Sequence, residues 1–428
     1  MLGALANSWK VPELRRKLMF TAAMLALYRL GAYVPLPGVN RQALQEGGAT
    51  GGNALIGLFG VFTGGAFSQL SVFALGIMPY ITAAIVMQLM TVAIPSLQEL
   101  AKEGETGQQK ITQYTRYFTL VLALIQSVVM VFYVSKAGSF GPVLAGATPI
   151  DYFLMAITLV TGVMLTMWLG ELITQRGLGN GISLIITAAI ISRAPTAIQT
   201  LIDNGNPLVF IVLAIIAVAI VAAIVFVNEG QRRIQITYAK RQVGRRMTQG
   251  GSTYLPLKVN MAGVIPIIFA SSLLIFPTIV VQFAGGNNTS ILYQVAQFFA
   301  PPKTPYLVLF ALLIMMFTYF YTAVQFNPVE HADNLKKSGG YIPGIRPGQP
   351  TALYLNNVLT KITLFGAVFL AAISVLPYII TNVVPGMPNS IFLGGTSMLI
   401  VVGVSLDTVR QLESQLMMRN YEGFLKKR

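Results

Sequence analysis

The chain has 428 residues, of which 54% are hydrophobic and only 10% charged, a balance no soluble globular domain of this size shows. It contains no cysteine, which excludes a disulfide framework, a thiolate metal site and a catalytic thiol. Its net charge of +15 would suit nucleic acid or a membrane surface, and the placement of the bases decides between them.

Ten apolar stretches are each long enough to cross a bilayer, whose hydrocarbon core of roughly 30 Å takes about 20 helical residues. They lie near 17–35, 73–94, 117–135, 152–172, 181–201, 208–228, 260–283, 305–325, 359–380 and 391–409. The first follows Lys10, Arg15, Arg16 and Lys17 and so looks like a secretory leader. It is too long for the apolar part of one. Arg29-Leu30-Gly31 is followed by Pro35 and Pro37 with no small-x-small site, so it reads as a retained first helix.

Residues 55–70 break the pattern. They are apolar but too short to span, and Gly57, Gly60, Gly64 and Gly65 punctuate them. Exposed backbone has no hydrogen-bond partner in lipid, so the segment is interfacial or re-entrant. It is either a loop packed on the outer face or a short mobile helix folded into a cavity, which glycines would help to withdraw.

Within the spans charge is sparse. Asp151, Glu171 and Asp407 sit near the ends of apolar runs, while Arg29 and Arg193 lie deepest, and each either snorkels to an interface or faces a polar cavity. No buried carboxylate is evident for a coupling ion, which argues against a proton- or sodium-coupled transporter.

Two loops are large. Residues 229–258 carry an alternating strand pattern at Arg233-Ile-Gln-Ile-Thr-Tyr and paired bases at Arg232/Arg233, Lys240/Arg241 and Arg245/Arg246. Topology and anionic lipid explain the charge. A docking surface for an acidic or RNA-containing partner would also explain the length. Residues 326–358 contain a turn built from Pro343, Gly344, Pro347 and Gly348, with Arg346 near its tip. Such an arginine is either a solvated turn residue or a rigid contact for a partner carboxylate. The single histidine, His331, has no companion ligands and is given no role.

With the N-terminus inside and ten alternating spans, only Arg41, Lys136 and Lys303 of the 29 Lys and Arg fall outside. Arg29 and Arg193 are in the spans, and the remaining 24 are cytoplasmic. This lopsided distribution puts both termini in the cytoplasm and accounts for the net charge without nucleic acid. There is no Gly-x-x-x-x-Gly-Lys-Ser/Thr loop, His-Glu-x-x-His or Gly-x-Ser-x-Gly, so neither an enzyme nor a cofactor is expected.

Six ordered signatures resemble the SecY/Sec61-alpha family of protein-translocation channels. They are Tyr-Arg-Leu-Gly-Ala-Tyr-Val-Pro-Leu-Pro-Gly (28–38), Ala-Leu-Gly-Ile-Met-Pro-Tyr-Ile (74–81), Lys-Glu-Gly-Glu-Thr-Gly-Gln-Gln-Lys-Ile-Thr-Gln-Tyr-Thr-Arg-Tyr (102–117), Arg-Gly-Leu-Gly-Asn-Gly-Ile-Ser (176–183), Leu-Pro-Leu-Lys-Val-Asn-Met-Ala-Gly-Val-Ile-Pro (255–266) and Gly-Ile-Arg-Pro-Gly (344–348). The resemblance implies an all-α polytopic fold of ten transmembrane helices in two inverted five-helix halves, 1–201 and 208–409, around an hourglass pore, with a cytoplasmic tail at 410–428.

By motif match the pore ring would comprise Ile77, Ile81, Ile182, Ile186, Ile268 and Ile400. The residues Gly57, Leu58, Phe59, Gly60, Val61, Phe62, Gly64 and Gly65 would belong to a plug. A lateral gate would open between the second and third helices and the seventh and eighth, with Gln88, Ser271, Ser272 and Phe276 on its lining. Arg232, Arg233, Lys240, Arg241, Arg245, Arg246 and Arg346 would dock the SecA motor ATPase or the ribosome. SecE and SecG are the implied fixed partners, unfolded preproteins and their signal peptides the substrates, membrane lipids the surroundings, and SecDF-type proteins are compatible accessories. The bacterial cytoplasmic membrane is the implied location. A secondary transporter or a pore-less insertase scaffold would share the helix content. Precursor crosslinks at the waist would separate the channel from the first, and conductance after plug deletion from the second.

Overall fold

Proline and short polar caps start most of the helices. In the computed structural model, which describes residues 11–39, 60, 63–136, 148–204, 207–238, 241–243, 246–248, 251–283, 303–383 and 395–425, helix α1 spans Pro12–Gly31, α2 Met78–Ala93 and α3 Pro95–Lys102. Then come α4 (Glu105–Lys136), α5 (Pro149–Arg176), α6 (Gly181–Ser192), α7 (Ala194–Asn204) and α8 (Pro207–Glu229). Five strands follow in part: β1 (Gln231–Tyr238), β2 (Arg241–Val243), β3 (Arg246–Thr248) and β4 (Ser252–Lys258). The chain continues through α9 (Ile265–Phe283), α10 (Thr304–Gln325), α11 (Pro328–Lys337), β5 (Gly340–Tyr341), α12 (Gln349–Val383) and α13 (Gly395–Leu425).

A helix stands at each of the ten apolar runs. Among the described residues five are both long and apolar enough to cross a membrane, namely α4, α5, α8, α10 and α12, and α2 joins them only together with α3, from which it is bent by 99°. The remaining runs are helical too. The charges of Glu13, Arg15, Arg16 and Lys17 occupy the first turns of α1, Arg193 divides α6 from α7, and Asp407 and Arg410 follow the apolar start of α13. The second run also begins later than its apolarity implies. Residues 71–77 form turns, because Pro35 and Ser71 pair as an isolated bridge and the helix starts only beside Pro79.

Apolar exposure marks the outer wall. Helix α8 carries no charge before Glu229, and Phe226 on it is 80% exposed. Such a helix is stable in lipid and not in water. The largest apolar cluster draws on α1, α2, α5, α6, α8, α9, α10, α12 and α13. A second joins Leu36, Phe67, Leu70, Ala74 and Leu75 to α4 and α5.

The carboxylates near span ends are spoken for. Asp151 caps α5, its Oδ2 accepting from the N–H and hydroxyl of Thr148 at 2.7 and 2.8 Å. Glu171 forms a two-point pair with Arg116, at 2.8 and 2.6 Å, tying α5 to α4. Arg410 bridges α13 to the end of α8, donating to the Asn228 carbonyl at 2.9 Å and to Glu229 at 2.8 Å, and Asp407 lies 3.9 Å from it.

Candidate functional site

Ile77 immediately precedes α2 and Ile81 lies one turn further on, its N–H donating to the Ile77 carbonyl at 3.1 Å. Ile182 and Ile186 come from α6, Ile268 from α9 and Ile400 from α13. Five of these six side chains are at most 6% exposed and belong to one apolar cluster, and Ile182 packs against it partly buried. Local chemistry sets their positions. The side-chain oxygen of Asn180 accepts from the N–H groups of Ile182 and Ser183 at 3.1 and 3.4 Å, which fixes the start of α6. A Cβ at Gly181 would lie 2.0 Å from the Gly170 carbonyl oxygen, so only glycine lets α6 begin this close to α5. The arrangement gathers isoleucine side chains from four separate parts of the chain into one apolar cluster.

Of the residues expected in the plug, Gly60, Gly64 and Gly65 are described, while Gly57, Leu58, Phe59, Val61 and Phe62 lie outside the described residues. The described part runs into the cluster of isoleucines through Ala66 and into the second cluster through Phe67 and Leu70. Gly64 adopts a φ of +64°, and a Cβ there would lie 2.9 Å from the Ala189 carbonyl oxygen of α6. Both the left-handed backbone and the close approach require glycine. Two backbone hydrogen bonds, Leu36 N–H to Leu70 O and Val72 N–H to Val34 O, each 2.9 Å, stitch the end of this segment to the chain leaving α1. A Cβ at Gly162 would lie 2.0 Å from the Val72 carbonyl oxygen, so α5 presses on the same stitch.

The helices expected at the lateral gate adjoin: α2 packs on α4 and α9, α9 touches α4, and α9 packs on α10. Ser271 and Ser272 are buried on α9. The Ser271 hydroxyl donates to the Ile268 carbonyl at 2.9 Å, and the Ser272 hydroxyl has no hydrogen-bond partner among the described residues. Gln88 is half-buried on α2. Phe276 lies on α9, and its side chain is outside the described residues.

The two large loops meet in one sheet of order β4-β1-β5. β1 pairs antiparallel with β4, with Ile234 opposite Leu255, and with β5, with Thr237 opposite Tyr341. Beneath it Ile234, Leu257, Phe326, Ile342, Leu355 and Leu359 form a separate apolar core. His331 stacks on Phe326 with ring centres 4.2 Å apart, a packing role. Arg232 and Arg233 are exposed on β1, and Arg241 and Arg246 lie on the paired tip strands β2 and β3. Lys240 and Arg245 fall outside the described residues. Arg346 is exposed between Gly344 at φ +82° and Gly348 at φ +103°, and its carbonyl accepts from the Thr351 hydroxyl at 2.8 Å.

Sequence reasoning did not find the partners of the two deepest arginines. Arg29 donates through Nη1 to the Gly64 carbonyl at 2.9 Å, and the Arg193 guanidinium stands over Gly60. Their depth was legible, but a backbone acceptor 35 residues away leaves no mark in a sequence.

Comparison with known proteins adds identity to this geometry. A family model described as SecY matches residues 71–409. The protein translocase subunit SecY of Mycobacterium tuberculosis (strain H37Rv) is 46% identical over 441 residues, covering 100% of both chains. The subunit of the same name from Streptomyces galbus is 47% identical over 438 residues, again covering 100% of both. Among solved structures, one described as the structure of a protein conducting channel aligns with a TM-score of 0.65 at 18% identity, over 93% of this chain and 91% of that one. Sec61 in the canine ribosome-channel complex aligns with a TM-score of 0.62 at 18% identity, over 93% and 91%. The likeness to both structures shows a shared fold.

Proposed function

Because this chain belongs to the SecY family, we propose that it is the channel subunit of a protein translocase, a multi-pass membrane protein that passes unfolded secretory polypeptides and releases apolar segments sideways into lipid. The observation that carries this reading is the gathering of five isoleucines from α6, α9, α13 and the start of α2 into one apolar cluster, with Ile182 packed against it, that also receives the glycine-rich segment through Ala66. A narrow apolar collar excludes water and ions because a thin water column between such walls is unstable. Its side chains still yield around a peptide in transit. The glycine-rich segment acts as the plug, a second seal in series.

Sideways release follows from the seam between α2 with α4 and α9 with α10. A signal peptide is an apolar helix and gains by lodging there between protein and lipid. The halves 1–201 and 208–409 are the inverted repeats, an arrangement that places a site near the midplane, with 410–428 as the tail. The positive-inside distribution supports cytoplasmic termini in a bacterial membrane. The sheet joining both basic loops is the docking platform for SecA and the ribosome, with Arg232, Arg233, Lys240, Arg241, Arg245, Arg246 and Arg346 as its charges. Ribosome-bound forms among the solved relatives support this, including the canine Sec61 complex and the yeast Ssh1 complex. SecE would hold the halves together beside SecG, with SecDF-type accessories compatible.

In proteoliposomes, the chain with its two small partners is expected to take up a secretory precursor when the motor and ATP are supplied, and to accumulate no labelled small solute. Solute uptake by the purified chain without precursor transport would instead identify a secondary transporter.

A further inference from the structure

Two arginines approach the two ends of one turn in the segment read as the plug, Arg29 through a hydrogen bond and Arg193 through packing. The Gly60 carbonyl accepts from the Gly65 N–H at 3.0 Å, closing the turn. On one side Arg29, near the end of α1, donates from Nη1 to the Gly64 carbonyl at 2.9 Å. Its Nη2 donates to the Tyr33 hydroxyl at 3.0 Å, and the guanidinium carbon lies 4.8 Å from the Tyr33 ring centre. That second contact holds the fork in one orientation. On the other side Arg193, the residue that ends α6, is close enough that a Cβ at Gly60 would lie 2.5 Å from its Nη1. Gly64 itself fits against Ala189 and Ser192 of α6. The turn is thus hydrogen-bonded to α1 through Arg29, and it packs against α6 at Gly64 and against Arg193 beyond that helix's end.

We infer that Arg29 and Arg193 are positioning residues that clamp the plug and thereby set how often the channel opens with no substrate in it. This rests on the reading of 57–68 as the plug. The chemistry suits a reversible clamp. Among the described residues, the hydrogen-bond partners of Arg29 are a carbonyl and a phenol, weaker acceptors than a carboxylate. By the proposed orientation both arginines sit in the outer half, so a released guanidinium is rehydrated rather than stranded in lipid. The apolar insertion of a signal peptide can then outbid the clamp, whereas thermal motion does so only rarely.

The test is ion efflux from proteoliposomes containing the full chain with its partner subunits, without precursor. Arg29→Met is expected to raise efflux about ten- to hundredfold, since losing one charge-assisted hydrogen bond shifts a two-state ratio by about that much, and Arg193→Met, which removes a packing contact over Gly60, to raise it by less. Arg29→Lys, which keeps the charge and a donating group for the Gly64 carbonyl but loses the fork to Tyr33, should restore part of the seal. Gly60→Ala should leak like Arg193→Met, and it attacks the same contact without altering the arginine should the methionine variant fail to assemble. Deleting 57–68 should also leak, and adding Arg29→Met to that deletion should change nothing more. If the deletion leaks while both methionine variants and Gly60→Ala seal like the parent, the clamp is refuted and the plug reading stands. If Arg29→Met adds leakage in the deleted chain, the arginine acts elsewhere and the clamp is refuted. A deletion that stays sealed removes the plug reading itself.

Discussion

Arg346→Glu is expected to abolish motor-driven export, by about a hundredfold or more, while the protein still assembles in the membrane at its normal level. The backbone around Arg346 owes nothing to its side chain. Gly344 and Gly348 take the positive φ values the turn needs, and the Thr351 hydroxyl caps the Arg346 carbonyl at 2.8 Å. The side chain is exposed and free to be read by a partner. A guanidinium fork facing a carboxylate contributes about 1.5–3 kcal/mol, and reversing its charge replaces that attraction by repulsion of similar size. Together these reach about 3–6 kcal/mol, above the roughly 2.8 kcal/mol that corresponds to a hundredfold effect. ATP-dependent precursor uptake into vesicles, with immunoblotting for membrane-inserted protein, checks both halves. Loss of the folded protein along with export would refute a docking role.

A polar collar is expected to conduct. Ile186 and Ile400 are each 1% exposed and face the same cluster from α6 and α13. Replacing both by serine supplies hydroxyls that stabilise a water column, and ion flux should rise about tenfold or more once the plug is absent. With the plug in place the rise should be small, because the second seal still stands. Alanine at both positions is the control. It opens at least as much space as serine but keeps the wall apolar, and so should hold ions back better than serine does. Single-channel recording of these variants, each with and without deletion of 57–68, distinguishes dewetting from simple steric blockage. Under steric blockage alanine and serine would leak alike.

Much of this architecture could be read from the chain because its driving forces are local. Apolar length locates the helices, and the alternation at Arg233–Tyr238 announces β1. The failures have equally local causes. The second apolar run includes 73–77, but these residues serve turns that follow the Pro35–Ser71 bridge, and apolarity does not distinguish a buried turn from a helix. Arg193 splits a run that hydropathy alone treats as continuous. The joining of both large loops depends on Gly340–Tyr341, a two-residue strand too short to show any period. At the site, the isoleucines came from motif resemblance, since an isoleucine on an apolar helix is otherwise indistinguishable from ordinary packing. The Arg116–Glu171 pair and the arginine contacts to Gly60 and Gly64 join residues distant in sequence, and charge placement alone does not reveal them.

One measurement bears most directly on the collar as the route of the polypeptide. Photo-crosslinking residues are placed singly at Ile81, Ile186, Ile268 and Ile400, with the exposed Val218 and Phe226 on α8 as references. A secretory precursor is then arrested midway by a folded domain at its trailing end. The four collar positions are expected to crosslink to the arrested chain, and the two reference positions to remain silent. Crosslinks at α8 with none at the collar would mean that the polypeptide travels by another path.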